Sequence, residues 1–259
     1  MGARMRTSFA DFSQRCIAHR GLHDNTGDHP ENTLASFERA VEAGFAIELD
    51  IRLTRDDQVV VTHDEDLQRT CGSKAIVRAV TYEELRGCRV YGSDQGIPLF
   101  TEALELIGGQ VPLVIDVKPE IDALTTCRIA DRALRDYPGP FCVQSFDPRV
   151  LLWFRTHNPS VLRGQLSGDI GRETGSGVPI VDATLNSMAL NALTWPDFIG
   201  YNWLDAARPV LHWWRRVLKC PLVAWTIRSQ AQLDAARHSF DAFIFEGFTP
   251  RSLSRNSAI

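Results

Sequence analysis

The chain has 259 residues, of which 44% are hydrophobic and 23% are charged, and its formal net charge is -4 at pH 7. This length can bury one large hydrophobic core, so we expect a single domain spanning residues 1–259. The ordinary charge balance excludes the basic surface that binds a phosphate backbone, and we therefore expect no nucleic-acid partner.

Targeting signals and membrane spans are not indicated by the hydropathy pattern. Residues 1–14 lack the apolar run of a secretory signal, and no stretch approaches the ~18 to 20 apolar residues of a membrane span. We therefore expect a soluble, cytoplasmic protein with no stable membrane insertion. Residues 211–218, with two Trp and two Arg, could touch a membrane surface, but a barrel helix with one buried face is the commoner explanation.

The first residues of the chain lead into a regular alternation of short apolar runs and longer helical patterns, as in βα units with a parallel sheet. Strands are predicted at 16–19, 46–52, 113–118, 141–145, 161–165, 198–202, 222–226 and 242–246. Helices are predicted at 34–43, 100–107, 122–137, 148–156, 206–218 and 229–238. Eight strands close a TIM-type (β/α)8 barrel, so we predict that α/β fold.

One further apolar run, at 59–63, follows the second strand after a polar turn at 55–57. It fits the return arm of a short hairpin better than a ninth barrel strand, and it ends at His63. The segment 167–177, rich in Gly and Ser, lies where a βα loop is expected. Six cysteines without CxxC spacing are interpreted as reduced thiols that serve mostly in packing.

Charged residues interrupt the apolar runs of two predicted strands. Glu48 and Asp50 are two residues apart and share a face, as do Asp116 and Lys118. Buried carboxylates are unfavourable without a compensating charge. The three carboxylates could converge on a divalent cation, or the two pairs could form a layer of salt bridges inside the barrel.

Two histidines, His19 and His63, follow strands near these carboxylates, where a TIM-type barrel assembles its active site. Imidazole is the side chain best able to exchange a proton near neutral pH, so these two are candidate acid–base residues. The other five receive no catalytic role: His157, His212 and His238 lie in or beside helical patterns, and His23 and His29 lie in a loop that is expected to face solvent.

The motifs form an ordered series along the chain. They are HRG at 19–21, PENT at 30–33, ELD at 48–50, HD at 63–64, DVK at 116–118, SF at 145–146 and WT at 225–226. This series resembles the glycerophosphodiester phosphodiesterase family from about residue 16 to 250. HRG alone would be a weak signal, but PENT preceded by HRG and followed by ExD and HD is specific.

The resemblance implies a TIM barrel that hydrolyses a small glycerophosphodiester to glycerol 3-phosphate and an alcohol. The implied site comprises the metal ligands Glu48, Asp50 and Asp116, the acid–base pair His19 and His63, the phosphate-binding residues Arg20 and Lys118, and Trp225 in the substrate pocket. The implied cofactor is one divalent cation, Mg²⁺ or Ca²⁺. Which histidine is the acid and which the base stays open.

Two departures from the family pattern bear on the substrate. Asp116 stands where many members have Glu, and related phospholipases D of the sphingomyelinase type have Asp there. A lysophospholipase D or a cyclising sphingomyelinase D-like activity is therefore an alternative, and a catalytically silent binding barrel is a third that the complete site set disfavours. The interval 72–112 is too short for an insertion domain, which suits the compact bacterial type. The oligomeric state stays undetermined.

Overall fold

The computed structural model describes residues 7–13, 15–168 and 188–251, and their strands form a closed parallel barrel. The strands are β1 Cys16–Ala18, β2 Ala46–Leu53, β3 Val59–Val61, β4 Leu113–Val117, β5 Phe141–Ser145, β6 Leu162–Ser167, β7 Phe198–Asn202, β8 Leu222–Ile227 and β9 Ala242–Phe245. β1 pairs with both β2 and β9, which closes eight parallel strands into a ring. The predicted TIM-type (β/α)8 fold is confirmed.

The remaining strand, β3, is the return arm of the predicted hairpin. It runs antiparallel to β2, with Ile51 opposite Val61 and Leu53 opposite Val59. The Thr62 amide then donates to the Asp50 carbonyl at 3.0 Å. The hairpin therefore carries the chain back until His63 lies level with the end of the acidic stretch of β2.

The helices surround the barrel, and six of the nine among the described residues lie where the hydrophobic periodicity predicts them. They are α1 Leu34–Glu42, α2 Gln68–Cys71, α3 Tyr82–Leu85, α4 Phe100–Ile107, α5 Ala123–Ala133, α6 Pro148–His157, α7 Asn191–Thr194, α8 Pro209–Arg216 and α9 Gln230–Ala236. Thr33 caps α1 by accepting from the Ser36 amide. Among the described residues, we find no helix with the length and apolar character needed to span a membrane.

Three predicted helices are shorter than expected by three residues or more, and proline lies at one boundary of two of them. The helix predicted at 206–218 begins only at Pro209, whose missing N–H suits the first helical turn. The helix predicted at 122–137 ends at Ala133, and Pro138 disfavours a helical conformation just before it. α8 buries Leu211 and Trp214 on the barrel side, as a surface helix with one buried face does. The loop predicted at 167–177 begins inside β6 at Ser167, and residues 169–177 lie outside the described residues.

Residues 62–99, here called the hairpin segment, form a small layer beside β3 and share a hydrophobic cluster with Val60 of that strand. This cluster comprises Val60, Leu67, Val77, Leu85, Val90 and Ile97, all buried. α2 and α3 lie within it and were not predicted, because four residues are too few to show a helical period. The hairpin segment contains His63 near its start and leads into α4 of the outer ring of helices.

The inside of the barrel is apolar at one end and polar at the other. The apolar end contains Phe12, Ile17, Val114, Phe198 and Ile244. Side chains alternate along a strand, so the residues two positions further on point into the same interior. On β2 and β4 those positions are occupied by Glu48, Asp50 and Asp116, which places the charged residues at the carboxyl ends of the strands.

Candidate active site

A cleft of about 270 Å³ opens at the carboxyl ends of the strands. Seven of the eight predicted site residues line this cleft: His19, Arg20, Glu48, His63, Asp116, Lys118 and Trp225. The eighth, Asp50, is fully buried and pairs with Lys118. The barrel therefore brings together side chains that are more than 200 residues apart in sequence.

The three predicted carboxylates form one cluster. Glu48, Asp50 and Asp116 each offer an oxygen, and these oxygens lie within 4.8 Å of one another. Asp50 on β2 is directly opposite Asp116 on β4, and Glu48 precedes Asp50 by one strand repeat. Parallel pairing of two neighbouring strands is thus sufficient to converge the three side chains.

Lys118 forms part of the salt-bridge layer that was the alternative to a cation. Its ammonium lies 2.7 Å from Asp50 Oδ1 and 2.7 Å from Asp116 Oδ2, and the side chain is buried. One ammonium cannot neutralise three carboxylates. Asp116 Oδ1 remains buried without a hydrogen-bond partner among the described residues. A set of carboxylate oxygens with such an unpartnered atom fits a hard divalent cation.

The pKa values of the three carboxylates also favour a bound cation. Burial raises the pKa of Glu48 well above its usual value, and the charges of Asp50 and Asp116 raise it further. Burial also raises the pKa of Asp116, although Lys118 opposes the change. Burial opposes the ionisation of Asp50, but Lys118, His63 and Arg20 still hold its pKa well below the usual range. Three ionised carboxylates are therefore unfavourable here without an added positive charge.

His19 follows β1 and is held by a carboxylate from the other end of the chain. Its Nδ1 forms a short hydrogen bond with Glu246 Oε2, and Glu246 in turn pairs with Arg228 at 2.7 Å. Burial lowers the pKa of His19 to about 4, although the bond to Glu246 opposes this change. The imidazole is therefore neutral at pH 7, with Nε2 left available for proton transfer.

His63 is supported in the same manner from the hairpin segment. Its Nδ1 lies 2.6 Å from Asp64 Oδ1, and the other oxygen of Asp64 accepts from Arg69 Nε at 2.6 Å. Although burial opposes ionisation, the bonds to His63 and Arg69 hold the pKa of Asp64 well below its usual range. Both candidate acid–base residues thus have Nδ1 fixed by a carboxylate.

The HRG and PENT motifs form the loop that supports this site. Gly21 has a φ of 82°, and a Cβ there would lie 2.4 Å from Ser36 Oγ, so only glycine fits. Asn32 donates from Nδ2 to Asp50 Oδ2 at 2.7 Å. Glu31 accepts from Arg20 Nη1 at 2.7 Å. The two motifs therefore fix both the Asp50 carboxylate and the Arg20 guanidinium.

The wall of the cleft opposite the carboxylates is largely apolar. Phe146 and Trp225 meet edge to face with their ring centroids 5.7 Å apart. Leu166 and Ile244 line the same space, together with the buried amide of Gln144. A ligand with one anionic and one less polar end could be accommodated between the two walls.

Sequence reasoning missed the supporting residues and misplaced one histidine. Glu246 ends the last predicted strand just as His19 ends the first, so its position was a signal for a site residue. Arg69 lies in no recognisable pattern. His23 was expected to face solvent, but both ring nitrogens are buried beside a second cleft of about 400 Å³. The loop after β1 folds back over α1, and burial lowers the pKa of His23.

Two curated proteins are similar to part of this chain. A glycerophosphodiester phosphodiesterase from Bacillus altitudinis is 39% identical over 111 residues, covering 40% of this chain and 44% of the relative. A lysophospholipase D from Homo sapiens is 38% identical over 120 residues, covering 41% of this chain and 37% of the relative. The chain thus spans less than half the length of these relatives in the matched regions.

The same barrel occurs in solved structures. An Oleispira antarctica phosphodiesterase in complex with the product sn-glycerol-3-phosphate superposes with a TM-score of 0.74 at 22% identity, covering 90% of this chain and 93% of that chain. A glycerophosphodiester phosphodiesterase from Thermotoga maritima gives a TM-score of 0.68 at 23% identity, covering 89% and 93%. The model of the glycerophosphoryl diester phosphodiesterase family matches residues 19–240. The chain therefore belongs to the glycerophosphoryl diester phosphodiesterase family.

Proposed function

We propose that this chain is a divalent-cation-dependent phosphodiesterase that hydrolyses glycerophosphodiesters to glycerol 3-phosphate and an alcohol. One observation carries the proposal: two histidines, each fixed at Nδ1 by a carboxylate, line a cleft that also contains a convergent three-carboxylate cluster. This combination provides proton transfer and charge neutralisation in one place, which are the two requirements of phosphodiester cleavage. Two curated relatives that are glycerophosphodiester phosphodiesterases support the same reaction class.

In the proposed mechanism Glu48, Asp50 and Asp116 hold one cation, Mg²⁺ or Ca²⁺, which supplies charge neutralisation to the phosphodiester when bound. Arg20 and Lys118 bind the non-bridging phosphate oxygens. The Arg20 guanidinium and the Lys118 ammonium each already form a salt bridge with a carboxylate. Their positions in the cleft are therefore preorganised before the substrate arrives.

The histidines complete the proton transfers. His19, neutral because of its burial, accepts the proton of the nucleophile at Nε2, the nucleophile being the neighbouring glycerol hydroxyl or a water. The oxygen of the nucleophile forms a bond to phosphorus as the P–O bond to the alcohol breaks, and His63 donates a proton to the leaving alkoxide. When the glycerol hydroxyl is the nucleophile, the product is a cyclic phosphate, which water then opens to glycerol 3-phosphate. Trp225 and Phe146 form the wall against which the organic part of the substrate packs.

A lysophospholipase D activity is the second candidate. The apolar wall formed by Phe146, Leu166 and Trp225 would suit a less polar substituent, and matched relatives carry the name lysophospholipase D.

The function is tested by assaying the purified chain against glycerophosphocholine, other glycerophosphodiesters and lysophosphatidylcholine. We expect release of glycerol 3-phosphate from the first two, loss of activity in EDTA, and recovery on adding Mg²⁺ or Ca²⁺. Release of choline from lysophosphatidylcholine at a higher kcat/KM would favour the second candidate. Full activity after exhaustive dialysis against EDTA would contradict the dependence on a cation.

The histidine roles are tested by His19→Ala and His63→Ala, with His157→Ala on an exposed helix end as the matched control. Each active-site change should lower turnover of glycerophosphocholine by ~10²- to 10⁴-fold, and the double variant should be scarcely worse than either single variant. A nitrophenyl phosphodiester has a leaving group that needs no proton, so it should rescue His63→Ala selectively. Retention of more than about a tenth of the activity in both single variants would contradict the mechanism.

A further inference from the structure

Contact with the barrel accounts for only one side of α8. Leu211 and Trp214 are buried on that side. On the solvent side, Trp213 is 50% exposed, and Val217, which follows the last helical residue, is 59% exposed. A helix on the surface of a globular protein ordinarily presents polar residues to water. Packing on the barrel therefore leaves this exposed apolar pair unexplained.

Basic residues lie beside the exposed pair on the same helix. His212 and Arg216 are one helical turn apart, as are Trp213 and Val217, so the four side chains form one strip along the solvent side. All four are exposed. The Trp213 ring meets the ring of Trp214 edge to face, with the centroids 5.5 Å apart, which holds the exposed indole in place. The strip therefore combines an indole and an apolar side chain with positive charge.

A cavity of about 450 Å³ lies next to this strip, between α8 and the residues that follow α9. Its basic lining comprises His212, Arg215, Arg216, Lys219 and His238, and no carboxylate lines it among the described residues. Arg215 Nη2 lies 3.7 Å from Asp241 Oδ1, whereas Arg216 and Lys219 form no ion pair within the described part of the chain. Because the whole chain carries a net charge of -4, this local concentration of positive charge indicates an anionic partner.

We propose that the strip and the cavity form a docking surface for a membrane that contains anionic phospholipids. Lipid phosphate groups enter the cavity and neutralise Arg216 and Lys219. The Trp213 indole enters the boundary between head groups and acyl chains, where tryptophan is enriched in membrane proteins. A free phosphate-bearing ligand would account for the basic cavity but not for the exposed Trp213 and Val217, whereas a lipid surface accounts for both.

Attachment of this kind is peripheral and reversible, since an indole and a few basic side chains reach only the surface layer of a bilayer. The cavity and the active-site cleft have no lining residue in common, so docking leaves the cleft open to water. The proposal does not depend on which diester the cleft accepts.

The charge contribution is tested by sedimenting the full chain with vesicles of phosphatidylglycerol and phosphatidylcholine in equal amounts. We expect binding that is lost in about 0.5 M sodium chloride, where charges are screened, and little binding to phosphatidylcholine alone. The double variant Arg216→Gln/Lys219→Gln should bind about 20- to 30-fold more weakly, because each basic residue at an anionic surface strengthens binding roughly fivefold. Lys74→Gln/Arg135→Gln removes the same charge from exposed residues elsewhere and should bind like the wild type.

The position of the indole is tested with brominated acyl chains in the same vesicles, which quench tryptophan fluorescence on contact. The chain has six tryptophans, and Trp213→Phe should remove most of the quenching seen in the wild type. All the substituted residues are exposed, so the variants are expected to fold and to melt like the wild type. The proposal is overturned if the wild type does not bind the anionic vesicles, if both charge variants lose binding equally, or if Trp213→Phe is quenched as strongly as the wild type. Binding of a soluble polyphosphate such as inositol hexakisphosphate without binding of vesicles would also overturn it.

Discussion

At the scale of single residues, the site depends on how the two imidazoles are held as much as on their presence. His19 bonds Glu246 and His63 bonds Asp64, in each case through Nδ1. Such a carboxylate fixes the orientation and tautomer of the ring and stabilises its protonated form. Glu246 follows the last barrel strand and lies beyond the region matched by the family model, so its role is a separate hypothesis.

Replacing Glu246 with Gln tests this hypothesis. The amide keeps the size of the side chain but removes the charge that stabilises a protonated His19, so we expect kcat to fall about 10- to 100-fold with little change in KM. Steady-state assays over a range of pH would measure both values. Glu83→Gln, a change at an exposed residue of α3, is the control. A Glu246→Gln enzyme with more than half the wild-type kcat would show that the contact is not needed for turnover.

The identities of the candidate residues could be predicted from sequence, whereas their partners could not. His19, Glu48 and Asp116 stand at the ends of apolar runs, where a barrel assembles its site. The partnership of Arg69 with Asp64 depends on a four-residue helix in an irregular segment. Such a contact is set by tertiary packing, which leaves no periodic trace in the sequence.

At the scale of elements, Glu31 connects the loop after β1 to α2. Its carboxylate accepts bonds from Arg20 and Arg69, and its side chain is buried. Although burial opposes ionisation, the two guanidinium groups lower the pKa of Glu31 to about 2. Because this value lies below the ordinary 4.5, ionised Glu31 stabilises the fold above pH 4.5, and the contribution is lost as the pH falls through about 2.

Glu31→Gln should therefore destabilise the chain at pH 7 and make its stability less dependent on pH between 4.5 and 2. The pKa difference corresponds to about 3 kcal/mol of stability at neutral pH. Urea denaturation across this pH range measures the effect, with Glu38→Gln on the exposed face of α1 as the control. Equal stability of Glu31→Gln and wild type at pH 7 would contradict the structural role of the bridge.

Element boundaries show where sequence reasoning fails. The predicted strand at 141–145 and the predicted helix at 100–107 agree with the structure because turn or capping residues bound both apolar patterns. The helix predicted at 206–218 is shorter, since Pro209 sets its start in a way that hydrophobic spacing alone does not reveal.

At the scale of the whole molecule, closure of the barrel concentrates negative charge that a bound cation would neutralise. The interior positions of β2 and β4 place three carboxylates together, and Lys118 neutralises only part of their charge. The period of two residues predicted that Glu48 and Asp50 share a face. Salt bridges between the two pairs were an alternative from the sequence, but the position of the Lys118 ammonium between Asp50 and Asp116 depends on the strand register.

Adding Mg²⁺ or Ca²⁺ to the EDTA-treated chain should raise its thermal midpoint. A ligand at 100 times its Kd stabilises a fold by about 2.7 kcal/mol, which corresponds to roughly 5 to 10 °C for a chain of this size. Because the pKa of Glu48 is raised, binding should release a proton, and the increase should be smaller at pH 5.5 than at pH 8. Circular dichroism melts measure the shift, with sodium chloride at matched ionic strength as the control. An equal increase in Asp116→Asn would contradict the assignment of the site.

The bond between His19 and Glu246 crosses the junction at which the barrel closes. His19 follows β1 and Glu246 follows β9, so the contact forms only when the first and last strands pair. Pairings between such distant segments form late in folding, because their loop-closure entropy is large. During synthesis, almost the entire barrel would therefore have to emerge from the ribosome before His19 can bond Glu246. Proton transfer by this imidazole would then begin with the completed ring, and a partly folded chain with an open sheet would lack it.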